Sequence, residues 1–405
     1  MAQGEVEQGL RYPFSSQAAM EPPAEWARLR EQCPVARVVL SSGDEAALVT
    51  RYEDVKRVLS DPRFTRPTVA GGARVADVES GGLFNSEMAT VLPQHGEAHL
   101  KWRRMVGKWF TARRMDALRP MVETMAEQLV DEMTERGAPS DLKASLGFPL
   151  PVWVICDMLG VPDSDRDRFA HWSELMLSMT RHSQAEMEAA QAEFGRYMAG
   201  HIAAKRAKPG EDLLSALITD TDTDGERMSD EVLVHTGIGL LMAGHETTAN
   251  MIGKMVAMLL VDRRRWEVLL ADRSLVRTAV EEALRLDANA GFGMPRYLTE
   301  EVEIAGTVLP SGTTAVCSMA AANRDERVFD GADEMNLRRS PNPHLAFGAG
   351  AHACLGQPLA RTELRAVLDV LLRKLPTLEL AVGVDNLRRV EGLLVGGLRE
   401  LPVRW

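Results

Sequence analysis

The sequence predicts a mainly helical α+β protein, a body of long helices with small β-sheets at its margin, in a single domain over residues 1–405. Three observations predict it. From about residue 97 to 286, apolar residues recur at helical spacing, as in the i, i+4 stripe Met121, Met125, Leu129 and Met133. Outside that stretch, short strand-like segments bounded by Gly, Pro and Ser recur at 36–50, 297–318 and 378–405. Apolar content of 45% with 26% charged residues is ordinary for a soluble globular chain with a large core, and no internal repeat or low-complexity tract divides it.

The elements follow in order. Residues 1–20 carry little pattern and are expected to be loosely ordered. Ala36–Leu40 and Ala46–Thr50 flank Ser41-Ser42-Gly43-Asp44-Glu45, a hairpin signal. Residues 67–94, rich in Gly, Pro and Ser, read as a long loop, and long loops in compact domains are often functional. Asp230–Leu260 is a long helix with Ser229 as its N-cap. Gly237, Gly239, Gly244 and Gly253 inside it are costly, which implies close approach by a neighbour or a local distortion. Ser274–Leu286 is a further helix, and Val302–Ile304 and Thr313–Val316 are short strands. Gln357–Leu375 closes the helical part, with Pro358 in its first turn and Leu364, Val367, Leu368 and Leu371 on one face.

A net charge of −11 argues against general nucleic-acid binding. The polar start MAQGEVEQGLRYPF lacks the pattern of a signal peptide, and the apolar run Val256–Val261 is too short to span a bilayer, so a cytoplasmic protein without membrane contact is expected. Cys33, Cys156, Cys317 and Cys354 lie far apart and form no CxxC pair, which disfavours a disulfide framework or a zinc site.

One cysteine has an unusual setting. In Phe347-Gly348-Ala349-Gly350-Ala351-His352-Ala353-Cys354-Leu355-Gly356, three glycines surround Cys354 just before a long helix. Glycine permits positive φ and close backbone approach to a flat ligand. A helix N-terminus offers free N–H donors and the positive dipole end, which favour a thiolate. A thiolate so held suits an iron ligand. Here the sequence resembles the cytochrome P450 family, whose bacterial members carry FxxGxHxCxG; Phe347, Gly350, His352, Cys354 and Gly356 match every fixed position. The resemblance implies haem b (iron protoporphyrin IX) with Cys354 as axial ligand, and Phe347, Gly348 and Gly356 in the loop against it.

Other motifs follow in family order. Ala243-Gly244-His245-Glu246-Thr247-Thr248 suggests the zinc motif HExxH, but Ala249 stands where the second histidine is needed. An acid beside a hydroxyl can instead pass protons through water. The segment is similar to the family's oxygen-activation stretch, which implies that Gly244 makes room over the haem beside Ala243, and that Glu246 and Thr247 form the acid–alcohol pair. Glu282 and Arg285 share a helix face, in isolation the pattern of an ordinary surface pair. The resemblance implies instead a buried structural triad with Arg339, although Met335-Asn336 departs from the family's usual Phe-Asp. His99 and Arg103, one turn apart, could both reach an anion. With Arg296 and His352 they match the family's haem-propionate partners.

Further expectations concern substrate and partners. The resemblance places Phe84, Asn85, Leu240, Met242, Asn289, Phe292, Met294, Leu393 and Leu394 around a substrate pocket, with Glu391 a further polar handle. Apolar walls with few polar groups suit a medium-sized organic molecule. Lys101, Arg103, Arg104, Lys108, Arg113, Arg114, Arg361 and Arg365 form a basic group that suits docking of an acidic electron donor, or an ordinary solvated face. The implied reaction is O2 activation with electrons from a separate ferredoxin and ferredoxin reductase, giving hydroxylation or oxidative coupling of a small organic substrate, in natural-product tailoring. A non-catalytic haem sensor or carrier would not need Glu246-Thr247, and peroxide-using relatives usually lack the pair.

Overall fold

The structure is a computed structural model that describes residues 10–16, 18–66, 72–74, 91–176, 182–287, 291–390 and 395–405. Its centre is a helix hydrophobic on every side. Helices that place the site are α1 (Tyr52–Ser60), α2 (Gly96–Gly107), α3 (Arg119–Arg136), α4 (Pro149–Met158), α5 (Gln184–Ala207), α6 (Asp230–Leu260), α7 (Val276–Leu286) and α8 (Gln357–Lys374). Ser229 caps α6 by accepting from the Val232 N–H at 3.2 Å, and every residue from Thr248 to Leu260 is buried. A helix buried all round must be enclosed by others. Here α4, α5, α7 and α8 pack against it.

Glycine spacing on α6 has the physical reason the sequence suggested, at one position. At Gly237 the Met198 side chain of α5 packs onto the bare backbone, and a Cβ there would meet its sulfur at 2.8 Å and make that side chain shift. The methionine stripe on α3 is displaced from its predicted centre. Val122, Ala126, Leu129, Val130 and Met133 are the buried face, while Met121 and Met125 are only partly buried.

The largest sheet among the described residues runs Leu10–Arg11, Val35–Val39, Glu45–Val49, Thr314–Cys317, Met294–Leu298, Phe64–Thr65. The predicted hairpin pairs Val35 with Val49. Tyr52, Val55, Val58 and Leu59 of α1 share a core with Ala47, Val49, Ala315 and Cys317. Within the stretch expected to be loose, Leu10–Arg11 instead pairs in parallel with Val38–Val39, and the Tyr12 hydroxyl donates to Phe292 O at 2.5 Å. Residues 1–9 lie outside the described part. Among the described residues no helix is long and apolar enough to cross a membrane.

Glu282 and Arg285 are fully buried on α7 and bonded through two contacts, 2.8 and 2.9 Å. Arg339 adds contacts to both Glu282 oxygens at 3.1 Å, and Asn342 and the Asn336 N–H bring further donors to the same carboxylate. Arg285 also donates to the carbonyls of Asn323, Ala332 and Glu334. The Met335-Asn336 departure is therefore absorbed, because the backbone N–H of Asn336 serves the carboxylate. This network holds the chain that leads into the cysteine loop.

Glu282→Ala leaves two buried guanidiniums without their carboxylate, which costs about 3–5 kcal/mol. Glu45→Ala, which breaks the exposed pair with Arg37, changes stability by less than about 1 kcal/mol. Urea unfolding of the two variants against the parent checks the contrast.

Candidate active site

The cysteine loop is tied at both ends. The Leu345 N–H donates to Asn323 Oδ1 at 2.7 Å, and the Cys354 N–H donates to Phe347 O at 2.7 Å. Between them Gly348 and Gly350 take φ +69° and +71°, strained for any residue with a side chain. At Gly350 space also forbids one: a Cβ would lie 2.6 Å from Leu59 O and 2.7 Å from Ser60 Cα of α1. The loop can lie this close to α1 only with glycine there. Arg361 lies over the Phe347 ring at 4.5 Å and so fixes the start of the loop to α8.

Cys354 ends the loop at the head of α8. Its thiol is exposed at the surface of the protein part, with the Gly356 N–H close by. Crowding pushes the thiol pKa up, and hydrogen bonds from the Gly356 and Gln357 N–H groups, with Arg103 and Arg361 nearby, pull against it. A sulfur so placed stays a thiol unless a metal ion takes the proton's place. Cys156 and Cys317 are buried and pushed up to about 12, inert thiols as expected. Among the described residues no cluster of His, Cys, Asp and Glu could hold a metal ion by itself.

The four predicted anion partners converge. His99 and His352 lie with ring centres 4.3 Å apart, and Arg103 donates to Ala353 O beside the cysteine. Arg296 is 3% exposed, and its buried Nε has no hydrogen-bond partner. Burial, then Arg66 and Arg103, push His99 down to about 4. The group is thus a buried concentration of positive charge. Arg66, at the end of the strand Phe64–Thr65, belongs to it and is not singled out by the sequence; nothing local distinguishes an arginine before a proline.

On α6, Leu240 is half-buried, and Ala243 and Thr247 are exposed one and two turns on, forming one open stripe in an otherwise enclosed helix. The Thr247 hydroxyl donates to Ala243 O at 2.8 Å, and Glu246 is half-buried beside it. His245 points the other way and packs on the Phe148 ring at 4.4 Å. Gly244 is half-buried and faces α4, where a Cβ would stand 3.4 Å from Ile155, an ordinary packing distance, while Ala243 lies on the open face.

Two pocket assignments are corrected. Met242 is 1% and Phe292 2% exposed, so both are core; Phe292 packs edge-on against Tyr12 at 5.5 Å. Leu240 and Met294 are half-buried and remain available. Phe84, Asn85, Asn289, Glu391, Leu393 and Leu394 lie outside the described residues. The basic group is largely neutralised. Lys101 pairs with Asp224, Arg104 with Glu97, Lys108 with Asp220, and Arg361 and Arg365 with Glu281. Except for Glu97, which lies on the same helix as Arg104, those carboxylates come from distant segments, which local charge counting does not see. Arg113 and Arg114 stay exposed and form no ion pair among the described residues, on the helix Ala112–Ala117 that packs against α8.

The sequence model of the family described as Cytochrome P450 matches residues 164–385. The chain belongs to the cytochrome P450 family. Membership makes it an oxidoreductase of the monooxygenase type, and implies a haem-thiolate cofactor, an organic substrate and redox partners. This P450 is 42% identical to nocardicin C N-oxygenase of Nocardia uniformis subsp. tsuyamanensis, across 97% of this chain and 98% of that one. It is 40% identical to mycinamicin IV hydroxylase/epoxidase of Micromonospora griseorubida, over 97% and 98%. The crystal structure of CYP105P1 in complex with filipin I superposes with a TM-score of 0.91 at 37% identity, covering 98% of this chain and 99% of that one. The residues fit the implied group: an exposed thiol with backbone donors, a cation cluster including the orphaned Arg296 Nε for two carboxylates, and an open stripe on the central helix.

His245 gives a pH prediction. Burial pushes its pKa from 6.5 down to about 4, so the folded protein keeps it neutral where the unfolded chain protonates it. Stability therefore rises with pH across that window and is lost as pH falls from about 6.5 towards 4. His245→Gln removes this contribution and flattens the slope of unfolding free energy against pH by up to one proton, as read by urea unfolding at stepped pH.

Proposed function

We propose that this chain binds haem b through the Cys354 sulfur and hydroxylates, or oxidatively couples, a medium-sized organic molecule of secondary metabolism. One observation carries the reading: an exposed thiol at the head of α8, with the Gly356 and Gln357 N–H groups directed at its sulfur. Donors on the sulfur temper its electron release, the means by which a protein tunes thiolate-ligated iron. His99, Arg103, Arg296 and His352 would hold the propionates, and Phe347, Gly348, Gly356 and Ala243 would lie against the ring. The bound haem supplies activation of dioxygen, with the overall balance RH + O2 + 2e⁻ + 2H⁺ → ROH + H2O.

The protein's part is to position and to deliver protons. Thr247 is exposed on the open stripe with its hydroxyl anchored on Ala243 O, so it can orient a water or pass a proton on while Glu246 resupplies it through solvent. Ala243 keeps the face shallow, and Leu240 and Met294 offer apolar contact to a substrate. The nocardicin and mycinamicin relatives act on natural products, which supports that substrate class here. The electron donor is a ferredoxin served by its reductase, and the exposed Arg113 and Arg114 beside α8 suit an acidic partner. The location is cytoplasmic.

Cys354→Ser is expected to abolish the red-shifted band of the reduced carbon monoxide complex that marks thiolate ligation; a retained band would end this reading. Thr247→Ala is expected to lower product formed per electron pair by on the order of tenfold or more, with hydrogen peroxide released instead. Product and peroxide assays against reductant consumed check it.

A further inference from the structure

Strand pairing places a fifth group at the cation cluster. Phe64–Thr65 runs antiparallel to Met294–Leu298, with Phe64 opposite Leu298 and Thr65 opposite Tyr297. Continued by one residue, that register sets Arg66 opposite Arg296. Like charges directly opposite across a ladder repel. Arg296 is already buried, with an orphaned Nε. Arg66 is oriented from its other side: it donates to Gln94 Oε1 at 3.4 Å, while Gln94 Nε2 donates to Leu92 O at 3.0 Å.

We infer that Arg66 binds a carboxylate, shared with Arg296 at the edge of the sheet. Burial, then Arg296 and Arg103, pull the Arg66 pKa down to about 10, and no carboxylate of the described residues offsets the three guanidiniums. Among the described residues nothing supplies the anion that three fixed positive charges in one half-buried cluster call for. Protoporphyrin brings two carboxylates. The one on Arg66 is therefore a propionate shared among the arginines or the carboxylate of an acidic substrate, and the same guanidinium chemistry serves either.

This inference rests on the haem-thiolate reading. The carbon monoxide spectrum of the parent tests that reading by itself, and a normal spectrum leaves the question of Arg66 standing alone. Purified holoprotein is compared with Arg66→Gln and Arg66→Lys for haem transfer to excess apomyoglobin. With a propionate on Arg66, Arg66→Gln loses haem about tenfold faster, and Arg66→Lys recovers part of the loss. Reconstitution with haem dimethyl ester then brings parent and Arg66→Gln to the same rate. In a second arm, ferric spin-state titrations compare biphenyl-4-carboxylate with its methyl ester. With a substrate carboxylate on Arg66, haem transfer is unchanged, and Arg66→Gln weakens the acid about tenfold but not the ester. Haem transfer at the parent rate together with no loss of acid preference overturns the inference.

Discussion

A sulfur atom has to be held at the head of a helix and be reachable by a metal ion, and much of this structure serves that placement. Sequence-local forces cannot hold it there. Gly350 lets the loop lie against the backbone of Leu59 and Ser60, where any Cβ would collide. Asn323 ties Leu345 at the loop's entry, and Arg285 holds the Asn323 carbonyl from the other side. The fully buried Glu282–Arg285 pair thus bears on the cysteine through one shared residue. Buried ion pairs are weak evidence for net stability, because desolvation offsets the attraction. This one draws together α7, the residues around Asn323 and the chain after Ala332, and its value lies in fixing their geometry.

Charge is arranged by a different logic around the same sulfur. On the outside, cations and carboxylates from distant segments neutralise each other, as in Lys108 with Asp220 and Arg365 with Glu281. Inside, Arg66, Arg103 and Arg296 gather with His99 and His352, and no carboxylate of the described residues offsets them. Concentrated like charge destabilises a fold unless a ligand completes it. A porphyrin with two carboxylates is the group that family membership implies, and its charge is of the sign that this cluster would take up.

The central helix shows how one element can be both scaffold and reacting surface. From Thr248 onward it is enclosed and mostly apolar, with the buried Lys254 paired to Asp287, which anchors it. Before that, Leu240, Ala243 and Thr247 open on one side while Met242 and His245 are sealed on the other. A rigid, buried second half keeps the open residues of the first half in register, the condition for positioning groups by tenths of an ångström.

The sequence by itself determined the helical architecture, because apolar periodicity, the Ser229 cap and Pro358 in the first turn are local signals that survive folding. The residues that would carry the proposed chemistry are legible in it as well, since glycines, cysteine and the acid–alcohol pair stand in contiguous motifs. What only the tertiary structure decided depends on partners far apart in the chain. Met242 and Phe292 became core because neighbours such as Tyr12, 280 residues from Phe292, cover them. Gly350 is needed because the backbone of Leu59 and Ser60, about 290 residues earlier, lies against the loop. Arg66 entered the cation cluster because an antiparallel ladder aligned its strand with that of Arg296. Pairing and enclosure are properties of the assembled chain, and no local pattern encodes which distant residue will arrive.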